Sequence, residues 1–346
     1  MTAPPLTLSV IMPNRNHAAL LPRALDALAR QQRQADEILV IDDASTDDSR
    51  AVIAGFRERL PRLRLLENPE RLGVEGSLNR GLREATGDLV YCGASDDATD
   101  PGLFATLMAA LEANPRAALA CAEARVITYT GVFKGYRPIC RPGWHEAYLG
   151  PEETARLLGH MDHWILSVVA VYRRATLMAA GAMDDRLGAF SDSFLARQLA
   201  LRDGFVFVPK VLGTWFVQEQ SHSRATSRDS EMLHRLVAHA RQRIEAGEGS
   251  IFPRGYGAVF DRRARFAAAR LAVEEAKRDP NLVVALAGLT GPVGSILRAA
   301  AGLPGPVGRI ASLAVLTISL RPMSLTRLLA TALRRSGNGG GARVPG

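Results

Sequence analysis

The chain lacks the two common glycine-rich phosphate cradles. The loop after its first apolar run, "MPNRNH", contains neither G-x-G-x-x-G nor G-x-x-x-x-G-K-[ST], which excludes a dinucleotide fingerprint and a P-loop. Cysteine is scarce: Cys92, Cys121 and Cys140 are odd in number, widely spaced and form no C-x-x-C pair. That excludes a disulfide framework and a zinc finger, and the three read as small buried hydrophobes in a reducing compartment. The N-terminus "MTAPPLTLSVIMPNRN" has no basic n-region, so no secretory signal is expected and cytoplasmic residence is. Long apolar runs are missing too. The uncharged stretches 282–297 and 310–320 fall short of the roughly 20 residues a membrane span needs, and Gly-Pro pairs interrupt the region. Finally, no Asp or Glu follows Asp279, whereas seven arginines do, so of the formal +8 only +1 belongs to residues 1 to 280. A nucleic-acid surface on the main part of the chain is thereby excluded, since it would need its own basic face.

What is present is an alternation. "LTLSVIM" (6–12) is an apolar strand, and "AALLPRALDALARQ" (18–31) places Leu21, Leu25 and Leu28 on one helical face. "EILVID" (37–42) and "STDDSRAVIAGFRERL" (45–60) repeat the pair, followed by "RLRLLEN" (62–68), "EGSLNRGLREA" (75–85), "DLVYCG" (88–93) and "PGLFATLMAALEAN" (101–114). Such a βα series calls for an α/β fold with an open, mostly parallel sheet covered by helices on both faces. On sheets of that kind, ligands bind beyond the carboxyl ends of the strands.

Two carboxylate pairs stand at those ends. The second strand runs into Asp42 and Asp43, and the fourth, after Gly93-Ala94-Ser95, into Asp96 and Asp97. Asp100 before Pro101 reads as the N-cap of the following helix, which leaves Asp96 and Asp97 without a structural task. Adjacent carboxylates repel one another unless a cation neutralises them, and a divalent metal carrying a diphosphate would do so. A carboxylate such as Asp43 can accept hydrogen bonds from a base or ribose. A nucleotidyltransferase would share the sheet and the metal, but its Gly-rich, Lys/Arg-bearing first loop is missing.

The segments "LSVIMPNRN", "EILVIDDASTDDS", "RLGVEGSLNRGLREATGDLV" and "GASDDATDP" resemble, in order and spacing, the nucleotide-sugar-binding segments of family 2 glycosyltransferases. The stretch 171–215 resembles that family's acceptor side, so the likeness covers about residues 6 to 225. It implies a GT-A fold, a Rossmann-like sheet flanked by helices, spanning residues 1–226: a nucleotide-sugar half (1–115) and an acceptor and catalytic half (116–226). It also implies an inverting transfer, dependent on Mg²⁺ or Mn²⁺, from a nucleoside-diphosphate sugar to a glycan or lipid-linked acceptor in cell-surface polysaccharide synthesis. Carried over by position, Pro13, Asn16, Asp43, Arg71, Asn79 and Asp96 line the donor site, with Gly81 on the helix under the diphosphate. Asp97 is the direct metal ligand, Asp96 contacts the ribose or the metal shell, and His222, where some members close the site near the metal, reads either so or as a solvated loop histidine. Asp192 is the catalytic base. From the residue itself, Trp164 either offers an indole face to a sugar ring or fills the core. Asp184 and Asp185 read as a turn. Ser95 and Ser191 stand where the family often has carboxylates, which leaves a second reading: a non-catalytic nucleotide-sugar or glycan-binding scaffold with a degenerate site.

Beyond residue 226 the alternation stops. Residues 227–335 read as a helical extension, with Arg265, Arg270 and Glu274 on a solvated side, and 336–346 as a disordered tail. Apolar helices with basic flanks suit the interface of an anionic inner leaflet, whereas the competing reading is an appendage that packs or dimerises.

Overall fold

The computed structural model describes residues 4–161, 164–217, 228–246, 251–275, 277–324 and 326. Strands β1 (Leu8–Asn14), β2 (Glu37–Asp42), β3 (Leu63–Glu67) and β4 (Leu89–Cys92) alternate with helices α1 (Leu21–Ala29), α2 (Ser49–Gly55) and α3 (Gly73–Glu84). The four strands lie parallel in the order β3-β2-β1-β4. Every residue of β2 and β4 is buried, as expected for strands covered on both faces. Gly81 of α3 is required by that cover, because a Cβ there would collide with Ile11 of β1 and press on Ile41 of β2.

The second half follows as β5 (Ala98–Thr99), α4 (Leu103–Ala113), β6 (Leu119–Thr128), β7 (Phe133–Arg137), β8 (Ala147–Leu149), α5 (Pro151–His160), β9 (Ala170–Arg173), α6 (Arg174–Ala179), α7 (Ser191–Asp203) and β10 (Phe205–Val217). It extends the sheet from β4 through β9, β6 and β10 to β5. β9 runs antiparallel to both β4 and β6, and β6 and β10 run parallel, so the sheet is mixed beyond its first four strands. One expectation needs correction. Asp100 does not cap α4: the helix begins at Leu103 behind Gly102, and the Asp100 carboxylate is held by Arg125 of β6 at 2.5 and 3.0 Å. A guanidinium offers a carboxylate two parallel charged donors, more than one backbone amide can.

The extension comprises α8 (Ser230–Glu245), α9 (Tyr256–Glu274), α10 (Pro280–Ala287), α11 (Gly291–Gly302) and α12 (Gly305–Leu320). Its apolar residues join a core cluster that also holds α3, α5 and α7. Phe194 of α7 meets Phe252 and Phe260 at ring distances of 5.2 and 6.5 Å, and Phe190 meets Phe260 at 5.4 Å. Arg263, buried on α9, donates to the Leu158 and Pro322 carbonyls at 2.7 Å each, tying α5 to the chain beyond α12. Arg270 and Glu274 form an ion pair along α9 at 2.7 Å, and Arg265 pairs with Asp261 at 2.6 Å. No helix among the described residues is long and apolar enough to cross a membrane.

Candidate active site

The loops leaving β1 and β2 are knitted together. Asn14 donates to Asp42 at 3.0 Å, and Asp42 also accepts from the Ser45 amide at 3.1 Å and Arg50 at 3.2 Å. Burial would push the Asp42 carboxyl up, but these hydrogen bonds outweigh it and hold it below the usual value. Asn16, at a positive φ of 51°, takes its amide to Ser45 Oγ at 3.0 Å and accepts from the Thr46 amide at 2.8 Å. Asp43 is buried and accepts from Asn68 at 2.8 Å and from the Leu72 and Gly73 amides at 2.7 and 3.0 Å, which fixes the entry to α3. Arg15 donates to the Asp43 carbonyl at 2.9 Å. Pro13 is half-buried at the end of β1, and Arg71 is exposed in the loop before α3. Both ends of the Asn79 amide are engaged by the Met183 backbone, at 2.8 and 2.9 Å, so this residue joins α3 to the segment that leads to Asp192.

At the exit of β4, Ser95 and His17 Nδ1 share a hydrogen bond of 2.7 Å. Arg23 of α1 donates to the Asp96 carbonyl at 2.5 Å while its guanidinium lies 3.6 Å from the centre of the Phe216 ring. Tyr129, at the end of the β6 hairpin, packs on Phe216 with ring centres 5.9 Å apart. The Phe216 amide donates to Asp97 Oδ1 at 2.9 Å. Burial drives the Asp97 carboxyl well above the usual carboxylate range, the Asp96 charge adds to this, and the Phe216 amide and Arg23 oppose it only in part.

That arrangement fits a divalent cation. Two hard oxygen donors stand side by side, and the charge on Asp97 is disfavoured until a positive ion is near. Among the described residues no three His, Cys, Asp or Glu side chains gather into a metal cluster. His222 lies outside the described residues.

Asp192 opens α7, exposed at its first turn. Its carboxylate accepts from Ser167 Oγ at 2.8 Å and from the Ser193 amide at 2.6 Å. Ser167 begins the 3₁₀ turn Ser167–Val169 ahead of β9 and is also reached by Tyr172. Tyr91 of β4 donates to the Val168 carbonyl of that turn at 3.2 Å, which sets Asp192 beside the end of β4, and the Asp192 charge adds to the burial that pushes the Cys92 thiol up to about 12. The neighbouring Ser191 is buried and its hydroxyl has no hydrogen-bond partner among the described residues.

Asp184 caps the 3₁₀ segment Asp185–Phe190 through the Arg186 amide, at 3.1 Å, in keeping with a turn. Its carboxylate also takes His239 at 3.2 Å and Arg243 at 2.6 Å from α8, so the extension grips the segment just before Asp192.

Trp164 corrects another expectation. It is 1% exposed and packs on Phe205 with ring centres 5.7 Å apart, which leaves no indole face for a sugar. An indole flanked by apolar neighbours gains more from burial than from an open cleft. Residues that pattern reading missed are His17, Arg23 and Ser167, whose partners lie 78, 73 and 25 positions away in the chain.

A β3-β2-β1-β4 parallel core continued by an antiparallel β9, with paired carboxylates at the exit of β4, defines a GT-A fold with a helical C-terminal region. The fold is shared with the mannosyltransferase PcManGT from Pyrobaculum calidifontis, solved in complex with GDP-Man and Mn²⁺, at a TM-score of 0.54 and 22% identity over 96% of this chain and 88% of that one. The chain belongs to glycosyl transferase family 2, whose profile matches residues 9–177, and is a transferase-type enzyme. It is 30% identical over 248 residues, 68% of its own length and 74% of the other, to the uncharacterized protein MT1568 of Mycobacterium tuberculosis. A GalNAc(5)-diNAcBac-PP-undecaprenol beta-1,3-glucosyltransferase of Campylobacter jejuni is 34% identical over 102 residues. That match spans 29% of this chain and only 33% of the Campylobacter enzyme.

Proposed function

We propose that the protein transfers a sugar, with inversion, from a nucleoside-diphosphate sugar to a glycan or lipid-linked acceptor during cell-surface polysaccharide synthesis at the cytoplasmic membrane face. The observation that carries this reading is the placement of two unlike carboxylate centres at the end of β4: Asp96-Asp97, crowded and partly desolvated, and Asp192, exposed and hydrogen-bonded. Asp192 takes the proton of the acceptor hydroxyl as that oxygen attacks the anomeric carbon. The bond from that carbon to the diphosphate oxygen breaks, its electron pair leaves with the nucleoside diphosphate, and attack from the opposite face inverts the centre. Asp97 and Asp96 would hold Mg²⁺ or Mn²⁺, which when bound neutralises the charge of the diphosphate. The loops ordered by Asn16, Asp43 and Asn79 shape the donor side, with Pro13 and the exposed Arg71 at its rim. The lipid-linked acceptor is supported by the PP-undecaprenol in the name of the Campylobacter relative, and the metal by the Mn²⁺ in the PcManGT complex.

A thermal-shift series with UDP-, GDP- and dTDP-sugars, each with and without Mn²⁺, tests the donor side. One nucleotide class is expected to raise the melting temperature, and to raise it further with Mn²⁺. No shift with any of them would overturn the reading.

A further inference from the structure

The last two described helices present an apolar stripe that no other described residue covers. On α12, Val307, Ile310, Ala314 and Ile318 recur at three- and four-residue spacing and share one face, with Ile310 68% and Ile318 73% exposed. Gly308, Ser312, Leu316 and Leu320 on the other face are buried. α11 repeats the arrangement, with Ile296 58% exposed and Val293 and Leu303 also turned outward, against buried Leu297, Ala300 and Ala301. The two helices are fixed as a hairpin. Arg278 donates to the Ala301, Leu303 and Gly305 carbonyls at 3.3, 3.2 and 3.0 Å across their connection. Exposed aliphatic side chains in such a row mark an interaction surface.

Charge decides what fits it. From Pro280 to the C-terminus every charged side chain is an arginine and none is a carboxylate. The described ones, Arg298, Arg309 and Arg321, are exposed, so a second copy docked here would bring like charges together with no carboxylate of this segment to pair them, an arrangement that repels. A negatively charged surface with an apolar interior satisfies both the stripe and its cationic surroundings. We infer that the α11–α12 face docks the enzyme on a leaflet of anionic phospholipid, lying in the interface with Ile296, Ile310 and Ile318 among the acyl chains. The inference deepens the reading of a lipid-linked acceptor and rests on it for its purpose. The contact is built into the core, because α9 and α10 join this hairpin to the cluster that packs on α7, the helix opened by Asp192.

Flotation of the full chain with vesicles tests it. Vesicles of phosphatidylcholine alone are compared with vesicles containing about one third phosphatidylglycerol, at low and high salt. The protein is expected to float with the anionic vesicles, less so in salt, and to stay behind with phosphatidylcholine alone. The pair Ile310→Glu with Ile318→Glu should weaken flotation about tenfold or more, and Ile310→Ser with Ile318→Ser by less, both with an unchanged melting temperature. No flotation with anionic vesicles, or equal flotation of the variants, overturns the inference. So does a dimer in light scattering that the variants convert to monomer without any vesicle binding. The donor thermal shift is read on the same samples: its loss with flotation intact would count against the transferase reading and leave the docking face standing.

Discussion

The two carboxylate centres at the end of β4 are held by opposite means. Asp97 is half-buried, takes one backbone amide from β10 and sits beside a second negative charge, so the fold keeps it in a state it disfavours. Asp192 is exposed, and a hydroxyl and an amide already satisfy it. A carboxylate that awaits a cation can be left under-neutralised, whereas one that must collect a proton from an incoming acceptor has to be reachable and aimed. On the proposed function, the first serves the donor's diphosphate and the second the acceptor.

Replacing Asp97 by Asn should break the first centre with the largest effect. Asn keeps an acceptor for the Phe216 amide but removes the crowded charge, so the ligand-free protein should melt no lower than the parent. Transfer should fall roughly a thousandfold, since a lost metal contact removes several kcal/mol of charge stabilisation. The Mn²⁺-dependent part of the donor thermal shift should vanish, and its survival in the variant would show that Asp97 is not the ligand.

Asp192→Asn attacks the other centre. A missing general base lowers turnover by about 10²- to 10⁴-fold, while the donor shift with and without Mn²⁺ should match the parent because the donor side is untouched. If turnover persists, the proton goes elsewhere. If the donor shift is lost as well, the two centres are not separate.

How much of this was readable in the chain depends on where the partners lie. β1 to β4 and their helices were legible because each strand is a short, largely apolar run and the helices bring aliphatic residues to one face, Leu21, Leu25 and Leu28 in α1, Val52 and Ile53 in α2, Leu78 and Leu82 in α3. Asp96 and Asp97 stood out because adjacent carboxylates at a strand exit repel one another without a cation, whereas Asp192 came only from the likeness of its segment to the family's acceptor side. Asp100 was misread because the local Asp-Pro signal said nothing of Arg125, and Trp164 because an indole suits a core and a sugar site alike. His17 and Arg23 lie in the first βα unit, yet their work is done on Ser95 and Asp96 of the fourth strand's exit. The antiparallel β9 was hidden as well, since a four-residue apolar strand carries no sign of its direction.

Asp184 tests whether the second centre depends on the extension. Desolvation would raise its carboxyl, but the Arg186 and His239 hydrogen bonds and the Arg186 amide outweigh it and hold it down to about 2, against an ordinary 3.8. A depressed carboxylate contributes stability above its unfolded value and loses it as the pH falls through the folded one. The contribution, about 2 kcal/mol, should therefore be full at pH 6 and shrink between roughly pH 4 and pH 2. Urea midpoints of the parent and Asp184→Asn should differ at pH 6 and converge toward pH 2, and a gap that stays constant with pH would remove the charge from the explanation.

Ser167 gives the finest test of the contrast, because its hydroxyl bonds directly to the Asp192 carboxylate. Its hydroxyl donates to Oδ2 at 2.8 Å, and Ser193 holds Oδ1, so the carboxylate is fixed at both oxygens. Ser167→Ala removes one hydrogen bond of about 1 kcal/mol at an exposed site, which corresponds to a fall in kcat of roughly fivefold. A positioning role predicts that kcat falls while KM for the donor holds, and that Ser167→Thr, which keeps the hydroxyl, restores most of the rate. A change confined to KM, or a threonine variant no better than alanine, would mean that Ser167 merely packs beneath β9, and that the base is aimed by α7 alone.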